Sequence, residues 1–375
     1  KFCLEDQDLS IKQVDYITIS RDPKKNIYKK IFHVLKYSIN PFNLWHRVLN
    51  SRKTSSVKSS LANIFQLSES DIKAQFYNIE HHLSHMGSSF FASRFKKSAI
   101  LSIDGFGDFT STMTAIGNSN NIRPLKELNY PHSLGVFYTT VTQFLGFPDY
   151  GDEYKVMGLA SYGKARYLKE LDQIIELNED GFFKLNKKYF KHFRKGVVMD
   201  WNGGNSNINS LFTKHWEDLF GKSRAKGDDL QKWHFDLAAS VQTFTEKVIF
   251  HILNKLYEET RSVNLCLSGG VAQNSVANGK ILENTSFKHI YIPSAGGDAG
   301  TSIGSALYLY NNILVKQRGE EITSASFGAR FNHEEIINIL EKHDVKYTLV
   351  SDEDLFEKVT DKLVNGGVVG WFQGR

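Results

Sequence analysis

A chain of 375 residues is longer than one ordinary core supports, so more than one compact unit is expected. Its 41% hydrophobic, 13% aromatic and 23% charged residues exclude a disordered polypeptide, and no apolar run approaches the roughly 20 residues of a membrane span. The net charge of +5 is too mild to select a partner.

The first residues, "KFCLEDQDLS", lack the form of a signal peptide and open inside an apparent helix ahead of a strand, "VDYITI" (14–19). With two cysteines, Cys3 and Cys266, a disulfide framework is not expected and a cytoplasmic location is. Arg21 to Lys58 holds ten Lys or Arg against one acid, Asp22. That stretch reads either as a surface for phosphate-rich partners or as a solvated basic face.

Apolar periodicity then predicts a strand over 72–79, a helix over 80–95 and a buried strand, "SAILSI", over 98–103. "DGFGD" makes a tight turn and "FTSTMTAIG" (109–117) returns as its hairpin partner. Residues 133–145 read as a helix capped by Ser133, and 199–210 as a Gly/Asn-rich loop. Leu237, Val241, Phe244, Val248, Ile252 and Leu256 recur at helical spacing and predict one long amphipathic helix. Next come a strand (263–267), the turn "SGG", a helix (271–283), a strand (289–293), the turn "SAGGDAG" and a further helix. Strand–glycine loop–helix units build parallel sheets, and ligands gather at the carboxyl ends of their strands. Beyond residue 322 the pattern predicts helix, strand, helix and strand, ending on "VVGWFQGR". A larger protein, of which this is a part, is the expectation.

Chemistry concentrates in a few places. His81 and His85 stand at i and i+4, so a helix puts them on one face; His82 points elsewhere and reads as a structural residue. Asp104 ends the strand that follows, with Gly105 and Gly107 positioned to let a ligand approach the backbone. Asp-Gly is also an ordinary hairpin turn. Asp298 sits at a strand-to-helix junction, where it reads as a fourth ligand or as an N-cap. Two histidines and two carboxylates suit iron, manganese or zinc. Gly269 and Gly270 in "LSGGVAQN" follow a buried strand and open a helix, so their backbone could cradle a nucleotide, with Asn274 facing the same crevice. Gly297, in the second glycine loop, is a further nucleotide-binding candidate. Asp152 and Lys155, in "GDEYKVMGLASYG", are candidate catalytic residues or a local surface ion pair.

Taken together, "EHHLSHMGSSFFAS", "SIDGFGD", "GDEYKVMGLASYG", "LSGGVAQN" and "GGDAGTSIGSAL" resemble the NodU/CmcH-type O-carbamoyltransferases. The histidine pair and glycine loops are also similar to the catalytic subunit that makes threonylcarbamoyladenosine in tRNA. The resemblance implies an actin-like, sugar-kinase-like ATPase fold of two similar α/β halves around a central cleft. The halves are placed at about 1–230 and 231–321, and 322–375 begins a second α/β segment leading to an adenylate-forming domain. It implies that His81, His85, Asp104 and Asp298 bind a divalent metal. Gly105, Asp152, Lys155, Gly269, Gly270 and Asn274 fall in its nucleotide-facing segments. ATP with Mg and carbamoyl phosphate would form carbamoyl adenylate elsewhere in the protein, and the carbamoyl group would pass here to a hydroxyl of a small-molecule or saccharide acceptor. The family's amino-terminal histidine–aspartate phosphate turn is missing from this sequence, so the chain alone is expected to be inactive. A homodimer is the assembly considered, and nucleic acid is not an expected partner. Two other readings stand beside this one: a tRNA threonylcarbamoyl transferase, and a nucleotide-binding module without catalysis.

Overall fold

The computed structural model describes residues 1–37, 57–202 and 205–375. It divides into two compact units, Lys1–Glu321 and Ile322–Arg375. The middle of the basic stretch, 38–56, lies outside the described residues.

Among the described residues of the first unit the strands are β1 Tyr16–Ile19, β2 Gln75–Asn78, β3 Lys97–Gly107, β4 Thr110–Asn118, β5 Asn121–Asn129, β6 Ile175–Leu177, β7 Phe183–Leu185, β8 Met199–Asn202, β9 Asn205–Ile208, β10 Asn264–Ser268 and β11 His289–Tyr291. The central sheet is mixed, in the order β11-β10-β3-β4-β5. β10 runs parallel to β3 and β11, and β4 runs antiparallel to its neighbours β3 and β5. β1 and β2 form a separate parallel pair. The chain is therefore a mixed α/β protein.

The middle of this sheet is buried on both faces, because β3 is apolar at successive positions rather than at alternate ones. Ala99, Leu101 and Ile103 face the larger core, with Phe137 and Val141 of the helix Leu134–Phe144 and Leu237, Val241 and Phe244 of the helix Lys232–Thr260. Ile100 faces the opposite way, into a second cluster with Met86, Phe90 and Cys266. The pleat's period of two thus assigns one strand to two layers.

Three sequence expectations differ from the structure. The central sheet takes strands from both sides of residue 230, so halves at 1–230 and 231–321 do not correspond to separate sheets. Joining parallel strands requires a long crossover, and the chain between β5 and β10 supplies it. Residues 199–210 are not a plain loop but contain the β8–β9 hairpin. In the second unit the helices His333–Lys342 and Asp352–Val364 form, capped by Asn332 and Ser351. No strand forms there among the described residues, since an extended segment without a neighbour has nothing to close its ladder.

The helix His81–Phe90 lies against β3 and crosses the helix Thr301–Leu307 at two glycines. A Cβ on Gly304 would stand 1.8 Å from the Ser84 carbonyl oxygen, and one on Gly87 would stand 2.3 Å from that of Gly304. Only hydrogen atoms fit between these backbones. Gly304→Ala should therefore lower stability by roughly 1–3 kcal/mol through overpacking, read as a lower unfolding midpoint. An unchanged midpoint would show that the helices separate freely.

Candidate metal centre and its glycine loops

Glu80 starts the helix His81–Phe90: its carboxylate accepts the Leu83 N–H at 2.8 Å, capping the first turn. Burial pushes that carboxyl up to about 7. Helical spacing then stacks His81 and His85 on one face, their Nε2 atoms 3.1 Å apart. Asp104 rises from β3 to meet them, with Oδ2 at 3.0 Å from His81 Nε2 and 3.3 Å from His85 Nε2. Asp298 enters from the loop before Thr301, its Oδ1 at 3.6 and 3.4 Å from the same two nitrogens. The four donor atoms all lie within 4.8 Å of one another. Two imidazole nitrogens and two carboxylate oxygens converging on one point fit a divalent ion of the first transition row.

Outer contacts hold His81 in place. The Asp108 carboxylate accepts the backbone N–H of His81 at 3.0 Å and that of Asp22 at 2.7 Å. A Cβ on Gly107 would fall 1.8 Å from the His81 ring, so this glycine makes room for the imidazole rather than for a ligand. His82 turns the other way, into the core, where Nδ1 meets Ser102 Oγ at 2.8 Å. Asp108 and Glu80 contribute to the site although neither is one of the four candidate ligands. In the sequence, the carboxylate closing "DGFGD" signals the first, and an acid ahead of a histidine-rich helix the second.

Burial works against charge on Asp104, yet hydrogen bonds from the two imidazoles hold its carboxyl well below the usual range. Burial alone would lower the His85 ring; hydrogen bonds to Asp104 and Asp298 outweigh it and carry the ring up to about 9. An incoming cation must displace that proton. Metal affinity should accordingly rise with pH up to about 9, with proton release on binding. Calorimetry in buffers of different ionisation enthalpy would count the proton, and affinity flat across pH 6–9 would contradict this.

The nucleotide candidates have varied fates. The amide of Gly269 donates to Gly296 O at 2.7 Å, and that of Gly270 donates to Asp104 Oδ1 at 2.9 Å. Both N–H groups expected to cradle a phosphate are thus already bonded within the protein. What these glycines provide is proximity: Gly269 has φ +103°, and a Cβ there would lie 2.2 Å from Ile103 O. Gly105 borders open space, its carbonyl accepting from Ser133 Oγ at 2.8 Å. Gly297 lies close against Gln273, whose Oε1 would be 2.8 Å from an added Cβ.

Asn274 requires a correction. It is 9% exposed and bonded inward rather than towards the crevice. Its Oδ1 accepts from Ala277 N and Gln242 Nε2, each at 3.0 Å, and its Nδ2 donates to Gln242 Oε1 at 2.9 Å. A side chain that caps the helix Ser275–Asn284 has few groups left for a nucleotide. Asn274→Ala should destabilise the fold by about 1–2 kcal/mol and leave AMP affinity unchanged. A selective loss of AMP binding would restore the nucleotide role.

Asp152 and Lys155 form an ion pair at 2.6 Å. Asp152 is buried, and the bond to it raises the Lys155 ammonium above its ordinary value, so this lysine is a fixed cation and not a base at neutral pH.

Residues 1–307 match the family described as Carbamoyltransferase N-terminus. An uncharacterised protein of Synechocystis sp. is 38% identical over 389 residues, covering 100% of this chain and 61% of that protein. Nodulation protein NolNO of Sinorhizobium fredii is 32% identical over 302 residues, 79% of this chain and 40% of its own length. The chain thus spans roughly half the length of the curated relatives it matches. Among solved structures, HypF of T. kodakarensis covers 68% of this chain and 38% of its own at 15% identity and a TM-score of 0.32, too loose a likeness to argue from.

Proposed function

This chain belongs to the carbamoyltransferase N-terminus family, and from that premise we propose that it performs the transfer step of an ATP-dependent O-carbamoyltransferase. In that step an acceptor hydroxyl oxygen bonds to the carbamoyl carbon of carbamoyl adenylate. The bond from that carbon to the phosphate oxygen breaks, AMP leaves, and the hydroxyl proton passes to solvent. Carbamoyl phosphate and ATP with Mg are consumed in making the adenylate.

His81, His85, Asp104 and Asp298 would hold iron, manganese or zinc, and Gly105, Gly269, Gly270 and Gly297 would border the nucleotide. When bound, such a cation neutralises the leaving phosphate. Lys155, held protonated by Asp152, would attract the same phosphate. The surroundings keep Asp104 ionised and orient both imidazoles before any substrate arrives. Cys3 and Cys266 are both unpaired thiols, which supports a reducing cytoplasm, and no helix among the described residues is long and apolar enough to cross a membrane.

One observation carries the reading. Asp104 belongs to the metal cluster and the glycine loop at once, with Oδ2 on the imidazoles and Oδ1 on the Gly270 amide. Metal and nucleotide binding should therefore be coupled. Calorimetry with Mn(II) and AMP tests this: AMP should bind at least about tenfold more tightly with metal present, about 1.4 kcal/mol of coupling. Gly270→Val should abolish AMP binding while the chain stays folded. Equal AMP affinity with and without metal, or in the valine variant, would remove the basis for the proposal.

A further inference from the structure

We propose that the cavity between the helix Ile27–Tyr37 and the adjoining ends of β4 and β5 is the acceptor subsite, and that it takes a saccharide carrying an acidic group. The inference rests on the carbamoyl-transfer reading and names the substrate class that reading leaves open.

The cavity has a volume of about 460 Å³, within the range of roughly 300–1,000 Å³ typical of small-molecule sites. Its inner wall is aromatic. The Tyr37 and Tyr130 rings lie 4.5 and 4.6 Å from that of His33, and Phe109 lies 5.4 Å from Tyr130. At the rim, Tyr28 and Phe32 stand at i and i+4 and are 85% and 65% exposed, on one face of their helix. Rings left open to water beside a cavity offer flat apolar surface for the C–H face of a sugar.

Charge narrows the class further. Lys36 lies 6.0 and 5.6 Å from the Phe32 and Tyr37 ring centres, and no carboxylate stands within ion-pair distance of it among the described residues. The other lining lysine, Lys29, is paired with Glu127. Among the described residues no acid lines the cavity. Burial and nearby cations, Lys184 first, lower the His132 ring to about 4, so it stays neutral near pH 7. The lining therefore favours a carboxylate or phosphate on the ligand and repels an ammonium.

Position links the cavity to the metal centre. Phe109 of the wall directly follows Asp108, whose carboxylate holds the backbone of His81. Asn26, just before the rim helix, donates to Asp108 O and Thr110 Oγ1, each at 3.2 Å. The same turn thus supports the ligand helix and the cavity wall.

Three oligosaccharides of equal length test the proposal by calorimetry on the whole chain: neutral maltotetraose, acidic tetragalacturonate and a basic glucosamine tetramer. Tetragalacturonate should bind most tightly and the glucosamine tetramer not at all. Phe32→Ala and Lys36→Glu, both at exposed positions that leave the fold intact, should each weaken tetragalacturonate about tenfold or more, and Lys36→Glu should erase the preference for acid. No tetragalacturonate binding, equal binding of the three sugars, or binding indifferent to both variants would overturn the subsite. Displacement of the sugar by a short RNA at lower concentration would also overturn it, in favour of a nucleic-acid site. The sugar titration needs neither metal nor AMP, so failed metal–AMP coupling would sink the transfer reading separately.

Discussion

Replacing His85 with alanine is expected to abolish metal binding and, in the full-length protein, carbamoyl transfer. The ring is fully buried, and its Nε2 lies within 3.1–3.4 Å of His81, Asp104 and Asp298. Among the described residues the metal-ligating group comprises only His81, His85, Asp104 and Asp298. Removing an outer partner of a metal ligand typically lowers affinity about 10–100-fold, and removing the ligand itself should exceed that. His82→Ala provides the contrast. That side chain is equally buried but faces Ser102, so it should reduce stability by about 1–3 kcal/mol while four ligands remain for the ion. Metal content measured after dialysis separates the two variants. Equal loss from both would mean that burial, not coordination, is what His85 provides.

Gly107→Ala should come close to the loss of His81 without touching a ligand. The new methyl would sit 1.8 Å from His81 Cδ2 and 2.1 Å from Cγ, so either the imidazole swings away or the β3–β4 turn shifts. Metal affinity should fall by roughly 10–100-fold, with the unfolding midpoint little changed because the turn lies at the end of the sheet. Gly105→Ala, two residues earlier, meets nothing within 4 Å and should keep its metal. The same methyl group, added at two nearby glycines at the end of β3, is thus expected to give opposite results. Metal retained in both variants would show that His81 is not held where the turn demands.

Much of the central sheet could be read along the chain. β3 carries Ala99, Ile100 and Leu101 in succession, and the long helix Lys232–Thr260 repeats its apolar residues at helical spacing, so local composition suffices to identify both. The halves were less legible, because nothing local says that β10 will pair with β3 across a crossover of more than a hundred residues. At the site, the histidine pair was readable because helical periodicity alone puts i and i+4 on one face. Asn274 misled, since an asparagine after a glycine loop looks the same whether it meets a nucleotide or caps a helix. Gln242, its partner, comes from a helix thirty-two residues earlier in the chain.

By itself the sequence determined the α/β class, the ligand helix and the residue types able to hold a cation, because each follows from periodicity or side-chain chemistry within a few residues. Tertiary structure alone decided that Asp298, nearly two hundred residues beyond Asp104, closes the cluster. It also decided that the Gly269 and Gly270 amides are bonded inside the protein, and that Gly107 is small for the sake of His81. These are contacts between segments far apart in the chain. A residue's type limits which bonds it can form, but only the packed fold selects which partner it meets.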